Sequence, residues 1–84
     1  MTRMYDRLPK KEALEKLTQT VKAKLLGEKI NAEFQAYDIV ALGSQPAVNL
    51  DLRFPDSLDA QHITRAWNIV GQEVVRFTNE RYSR

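Results

Sequence analysis

Val48-Asn49-Leu50-Asp51-Leu52-Arg53-Phe54 alternates apolar and polar residues without a break, the period of a strand with one buried and one wet face. Just before it, Gly43-Ser44-Gln45-Pro46 gathers the residues that favour a turn. Before that turn, Ile30, Ala32, Phe34 and Ala36 alternate with Asn31, Glu33 and Gln35. Two runs of period two around a turn predict an antiparallel β-hairpin, its first strand running from Ile30 to Leu42. Asp38 falls on an apolar position of that strand, and Ile39 and Val40 then occupy both faces. A β-bulge near Tyr37-Asp38 restores the phase by adding one residue to the strand.

On either side of the hairpin the period changes. From Lys10 to about Leu26 the apolar residues Leu14, Leu17, Val21 and Leu25 follow the spacing of one helical face. Pro9 suits the first turn, where its missing N–H costs nothing, and Gly27 stands where a left-handed C-terminal cap belongs. Past Pro55, Asp56 or Ser57 is expected to cap a second helix, with Asp59 in its first turn. Its apolar set is Ile63, Ala66, Trp67, Val70, Val74 and Phe77, continuing to near Tyr82. The predicted fold is α+β, helix–β-hairpin–helix (αββα), with residues 1–8 as an N-terminal arm and 9–84 as a single domain. The expected core is Leu14, Leu17, Val21, Leu25, Val48, Leu50, Leu52, Phe54, Ile63, Trp67, Val70 and Val74.

A chain of 84 residues without cysteine has neither disulfides nor thiolate metal sites to supplement a small core. Association is the remaining supplement. The first strand, longer than its partner, and the second helix, longer than the sheet, both leave apolar residues without cover. A homodimer interface is therefore expected at Phe34, Gly71, Phe77 and Tyr82, with Gly71 allowing close approach of a second helix. The alternative is a compact monomer in which the arm of residues 1–8 covers the gap.

No apolar run is long enough to span a bilayer, and the first residues lack the apolar stretch of a secretory signal, so no membrane partner and a cytoplasmic setting are expected. The net charge of +2 is segregated. Residues 1–29 carry eight Lys and Arg against four acids, residues 30–59 one against five, and residues 60–84 four against two. That is a weak field for nucleic acid, and the lysines of the first helix scatter around it instead of forming a stripe.

The residues of catalysis are thinly represented. His62 is the single histidine, with Ser44, Ser57 and Ser83 as hydroxyls in no nucleophile motif. Asp59 and His62 share a helical face, which is too few ligands for a metal. Asp38 and Asp51 could pair across the hairpin as two interacting carboxylates. Glycines are isolated, so no phosphate loop is present. No catalytic, cofactor-binding or metal-binding residue is expected, and no cofactor.

The outer face of the second helix, around Arg65, Ile69, Gln72 and Arg76, is rich in donors and free of acids. It is the expected surface for a protein partner that the sequence does not identify. In the order of its elements the chain resembles small phage head–tail joining proteins built as two helices around a hairpin, a likeness of architecture carried by no residue motif. The expected function is a non-catalytic protein-binding, regulatory or assembly-accessory module. The alternative is a nucleic-acid-binding protein using its basic helix faces.

Overall fold

The computed structural model describes Tyr5, residues 8–43 and residues 45–82. The arm expected over residues 1–8 is described only at Tyr5 and Leu8, and Ser44 and Ser83 lie outside the described residues. The elements are α1 (Lys10–Gly27), β1 (Glu33–Leu42), β2 (Gln45–Arg53) and α2 (Ala60–Tyr82), with the two strands forming one antiparallel hairpin. The αββα architecture is the expected one.

Helix α1 buries Leu14, Leu17, Val21 and Leu25, the predicted stripe, together with Ala13 and Thr18 beside it. Its end differs from expectation. Gly27 is still helical, and the left-handed residue is Lys29, at φ 59°. Ile30 N–H reaches the Leu25 carbonyl and Lys29 N–H the Leu26 carbonyl, each at 2.9 Å. This is the paired closure of a Schellman motif, and the buried Ile30 and Leu25 supply its apolar contact. A lysine in that conformation crowds its Cβ against the carbonyl, a strain glycine escapes. Lys29→Gly should therefore raise the unfolding free energy by about 1 kcal/mol in a urea melt. No gain would show that the turn carries no strain.

The cap also explains where the sheet begins. Ile30 is spent on closing α1, so β1 starts at Glu33 and pairs with β2 along its whole length. The predicted overhang of the first strand does not exist. The register runs from Glu33 opposite Arg53 to Leu42 opposite Gln45, with one shift between Ala36 and Asp38. Tyr37 is thus the extra residue, the bulge that the phase conflict predicted. Gly43, at φ 65°, takes the positive dihedral required in the tight connection. Pro46 lies within β2, not in the turn.

Helix α2 starts later than expected. Asp59, not Asp56 or Ser57, is its cap, its Oδ1 accepting the His62 N–H at 2.9 Å. That backbone donor, with the His62 ring beside it, holds the Asp59 carboxyl below its ordinary range. Residues 56 and 57 form a turn that brings the chain from β2 to the helix.

Among the described residues, α1 packs on β1 and α2, while α2 meets the sheet only at β2. The helices lie side by side, α1 over β1 and α2 over β2, in a slab 40 × 30 × 19 Å. The radius of gyration, 13.2 Å, exceeds the roughly 12 Å of a compact chain of this length. The core lies mainly between α1, β1 and α2. Phe34 and Ala36 are buried there, but Val48, Leu50 and Leu52 of the other strand, with Phe54 just past its end, remain half-buried.

Helix α2 is rotated from its predicted setting. It buries Ala66, Ile69, Val70, Glu73 and Phe77. Trp67, expected in the core, is 49% exposed, and Ile63 is half-buried. The cause is that α2 leans on α1 more than on the sheet. Its C-terminal turns are covered from within the chain. Tyr5 is fully buried with its ring 4.9 Å from that of Phe77, and Arg81 Nη1 donates to the carbonyls of Tyr5 and Leu8 at 3.0 and 2.6 Å. Tyr5 thus supplies, from within the chain, the cover over Phe77 that the sequence assigned to a second copy.

Candidate interaction surface

The carboxylates singled out in the sequence do not converge. Asp38 lies on the bulge opposite Asn49, where it pairs with Lys10 and accepts the Ile39 N–H. These contacts, the lysine first, hold its carboxyl below the ordinary range. Asp51 stands opposite Gln35 and accepts from the Tyr37 hydroxyl at 2.9 Å and from Arg53 at 3.1 Å. Each acid has its own donors, and the two form no pair. Asp59 and His62 Nδ1 are 2.6 Å apart in the capping turn of α2. Among the described residues, no three His, Asp or Glu side chains are grouped to hold a metal.

The expected partner face on α2 is broken. Ile69 is 5% exposed, packed in the core, so it cannot serve as an apolar knob for a partner. Arg65 Nε donates to Glu28 at 3.0 Å and Arg76 Nε to Glu80 at 2.7 Å. Gln72 is exposed. Of the residues expected at a dimer interface, Phe34 and Phe77 are buried within the chain, whereas Gly71 is open and Tyr82 is 45% exposed. The first two are corrected by the pairing of β1 and by Tyr5.

What the structure leaves open lies elsewhere. On α2, Trp67, Gly71, Val75 and Tyr82 recur at helical spacing. Trp67 is 49% exposed, Val75 57% and Tyr82 45%, and nothing lies within 4 Å of a Cβ built on Gly71. At 100° per residue, Gly71, Val75 and Tyr82 centre roughly 160° around the helix from the arc packed on α1. Since α1 covers β1 and α2 covers β2, this stripe faces outward past the free edge of β2. Trp67 joins the stripe to the sheet, its ring 6.4 Å from Phe54 in an edge contact.

The two sheet edges are unlike. On β1 the Ala36 N–H points away from β2 and donates to Thr18 Oγ1 at 3.1 Å. That hydroxyl, buried in α1, itself donates to the Leu14 carbonyl at 2.9 Å. Thr18 of α1 thereby satisfies the edge N–H of Ala36. Ala36 is opposite Leu50, so that pair exchanges no backbone bonds. By the alternation of an antiparallel ladder, the N–H and carbonyl groups of Val48, Leu50 and Leu52 point outward from β2. Among the described residues, no hydrogen bond from another element reaches them. Their side chains are the half-buried floor below Trp67.

A concavity of about 950 Å³ lies between the end of α1 and the start of β1. Its wall mixes Lys22, Lys29 and Arg53 with Glu33 and Asp51 around the 78%-exposed Leu26. Charges of both signs line it, and the Tyr37 hydroxyl and Arg53 are both engaged on Asp51.

Sequence reasoning missed the β2 edge and Val75. Val75 lies four residues past Gly71 and eight past Trp67, a spacing visible in the sequence but masked by the assignment of Trp67 to the core. No helix among the described residues is long and apolar enough to cross a membrane. No family model matches the chain, and no curated protein and no solved structure matches it either.

Proposed function

We propose that the chain is a non-catalytic protein-binding module, of the assembly-accessory kind, whose working surface is the free edge of β2 with the apolar stripe of α2 above it. The observation that carries this reading is Trp67, an exposed indole seated edge-on against Phe54 at the rim of a half-buried strand. Tryptophan is enriched at protein interfaces, where its large ring fills pockets near the centre of the contact. An open strand edge beside such an anchor offers main-chain bonds for affinity and an apolar floor for side chains.

The disposition of charge supports a protein partner over nucleic acid. Lys10, Lys24, Arg53, Arg65 and Arg76 each hold a carboxylate, and Arg81 holds backbone carbonyls. Cations already neutralised in this way release few counterions from a phosphate backbone.

The test is capture of proteins from an extract of the source cells on immobilised wild-type chain and on Trp67→Gln, with thermal melts confirming that both are folded. The expected result is protein, copies of the chain itself included, held by the wild type, competed off by free chain, and lost with Trp67→Gln. Identical capture by the variant overturns the reading. So does retention on heparin that disappears with salt and is the only binding found.

A further inference from the structure

We infer that the occupant of this surface is a second copy of the chain, with β2 pairing antiparallel to the partner's β2 about a twofold axis through Leu50. The inference rests on the binding surface proposed above and specifies its partner.

Two separate features point in one direction. The outward backbone groups of Val48, Leu50 and Leu52 and the Gly71–Val75–Tyr82 side of α2 both face away from α1, past the same edge. A twofold axis normal to the sheet at that edge would join the two hairpins into four strands. It would also set the two α2 helices antiparallel on one face. The levels agree as well. Trp67 and Phe54 are in ring contact, and Leu50 lies four residues back along β2, about 13 Å. The same distance along α2 is about nine residues, which reaches the level of Val75. The axis through Leu50 therefore passes near the middle of the exposed stripe. Gly71 lies one turn away, where the absence of a side chain lets the helices approach closely.

The register is selected by β2 itself. Centred on Leu50, the strand sets Leu50 opposite the partner's Leu50 and Val48 opposite the partner's Leu52. All the outward N–H and carbonyl groups of Val48, Leu50 and Leu52 are then used. On the wet face Asn49 meets the partner's Asp51, an amide beside a carboxylate. Moving the centre to Asn49 places Pro46, which has no N–H, opposite the partner's Leu52 and forfeits bonds. Moving it to Asp51 sets two carboxylates directly opposite each other, which is repulsive. Of these three registers, only the one centred on Leu50 avoids both defects. The floor then becomes continuous, with Val48, Leu50 and Leu52 of both strands lying under the paired helices.

The experiment combines mass with cross-linking, using a chain that has no cysteine of its own. Light scattering at tens of micromolar should give twice the 9.7 kDa chain mass. Val75→Glu, at a site 57% exposed and so harmless to the single chain, should return the mass to one chain. In the Leu50 register, positions 49 and 51 face each other in a non-hydrogen-bonded pair, close enough for a disulfide. Asn49→Cys/Asp51→Cys should therefore oxidise to a covalent dimer, while Asn49→Cys and Asp51→Cys alone should not. A covalent dimer from either single variant overturns the register, and a dimer unaffected by Val75→Glu overturns the surface. A chain of single mass at every concentration overturns self-pairing, and loss of captured proteins with Trp67→Gln would still stand in that case, so the two failures are separable.

Discussion

Phe77→Ala should lower the unfolding free energy by about 3–5 kcal/mol, the largest loss expected of any single truncation in this chain. Phe77 is fully buried, the Tyr5 ring lies 4.9 Å away, and the Arg81 guanidinium stands 5.8 Å over its face. Removing the ring opens a cavity and also takes away the surface against which Tyr5 packs. For a domain of this size the midpoint of thermal unfolding should fall by on the order of 20 °C. The loss should be the same at low and high protein concentration, because Phe77 is covered by its own chain. A loss that appears only at concentrations where the chain associates would return Phe77 to an intermolecular interface. Tyr5 adds an alkaline signature. Burial raises its hydroxyl above the ordinary tyrosine range. A group with a raised folded value contributes stability in full below its unfolded value and loses it as pH rises through the folded one. Stability should accordingly decline above pH ~10 and decline less in Tyr5→Phe.

The second large effect concerns Glu73, whose side chain is 4% exposed in the middle of the α2 face packed on α1. Lys24 Nζ reaches its Oε2 at 2.5 Å, and the Tyr5 hydroxyl lies 3.4 Å from Oε1. Lys24→Met strands a buried carboxylate with one long hydrogen bond, which should cost about 2–4 kcal/mol. Glu73→Met removes the buried charge and leaves Lys24, half-exposed, free to reach water. It should be neutral or stabilising by about 1–2 kcal/mol, since an apolar side chain of similar size needs no partner there. Urea melts of the two variants settle the matter through their difference in sign. Equal losses in both would show that the pair adds net stability, and that it does more than set the rotation of α2 against α1.

The local patterns were legible where a residue's role depends on its immediate neighbours. Strict alternation from Val48 to Phe54 specified β2, and the clash of phase at Asp38 specified the bulge. The stripe Leu14–Leu17–Val21–Leu25 specified the buried face of α1. In each case the spacing of apolar residues has one physical solution, because a strand repeats every two residues and a helix every 3.6. Of the residues the sequence left without cover, Gly71 and Tyr82 remain exposed.

The rotation of α2 was decided only by the tertiary structure. Its buried arc has Glu73 at the centre, so apolar periodicity breaks where burial is deepest and shifts the apparent stripe toward Trp67. The acid is tolerated because Lys24 and Tyr5, 49 and 68 residues away in the chain, come to meet it. Nothing within a helical turn of Glu73 records that meeting. The sheet edges were equally illegible. The edge N–H of Ala36 on β1 is satisfied by Thr18, 18 residues away, whereas the outward groups of β2 meet no other element among the described residues. Periodicity states which positions of an element are apolar. Which neighbour covers them follows from how the elements pack, and in this protein that packing places Trp67 and the β2 edge at the surface.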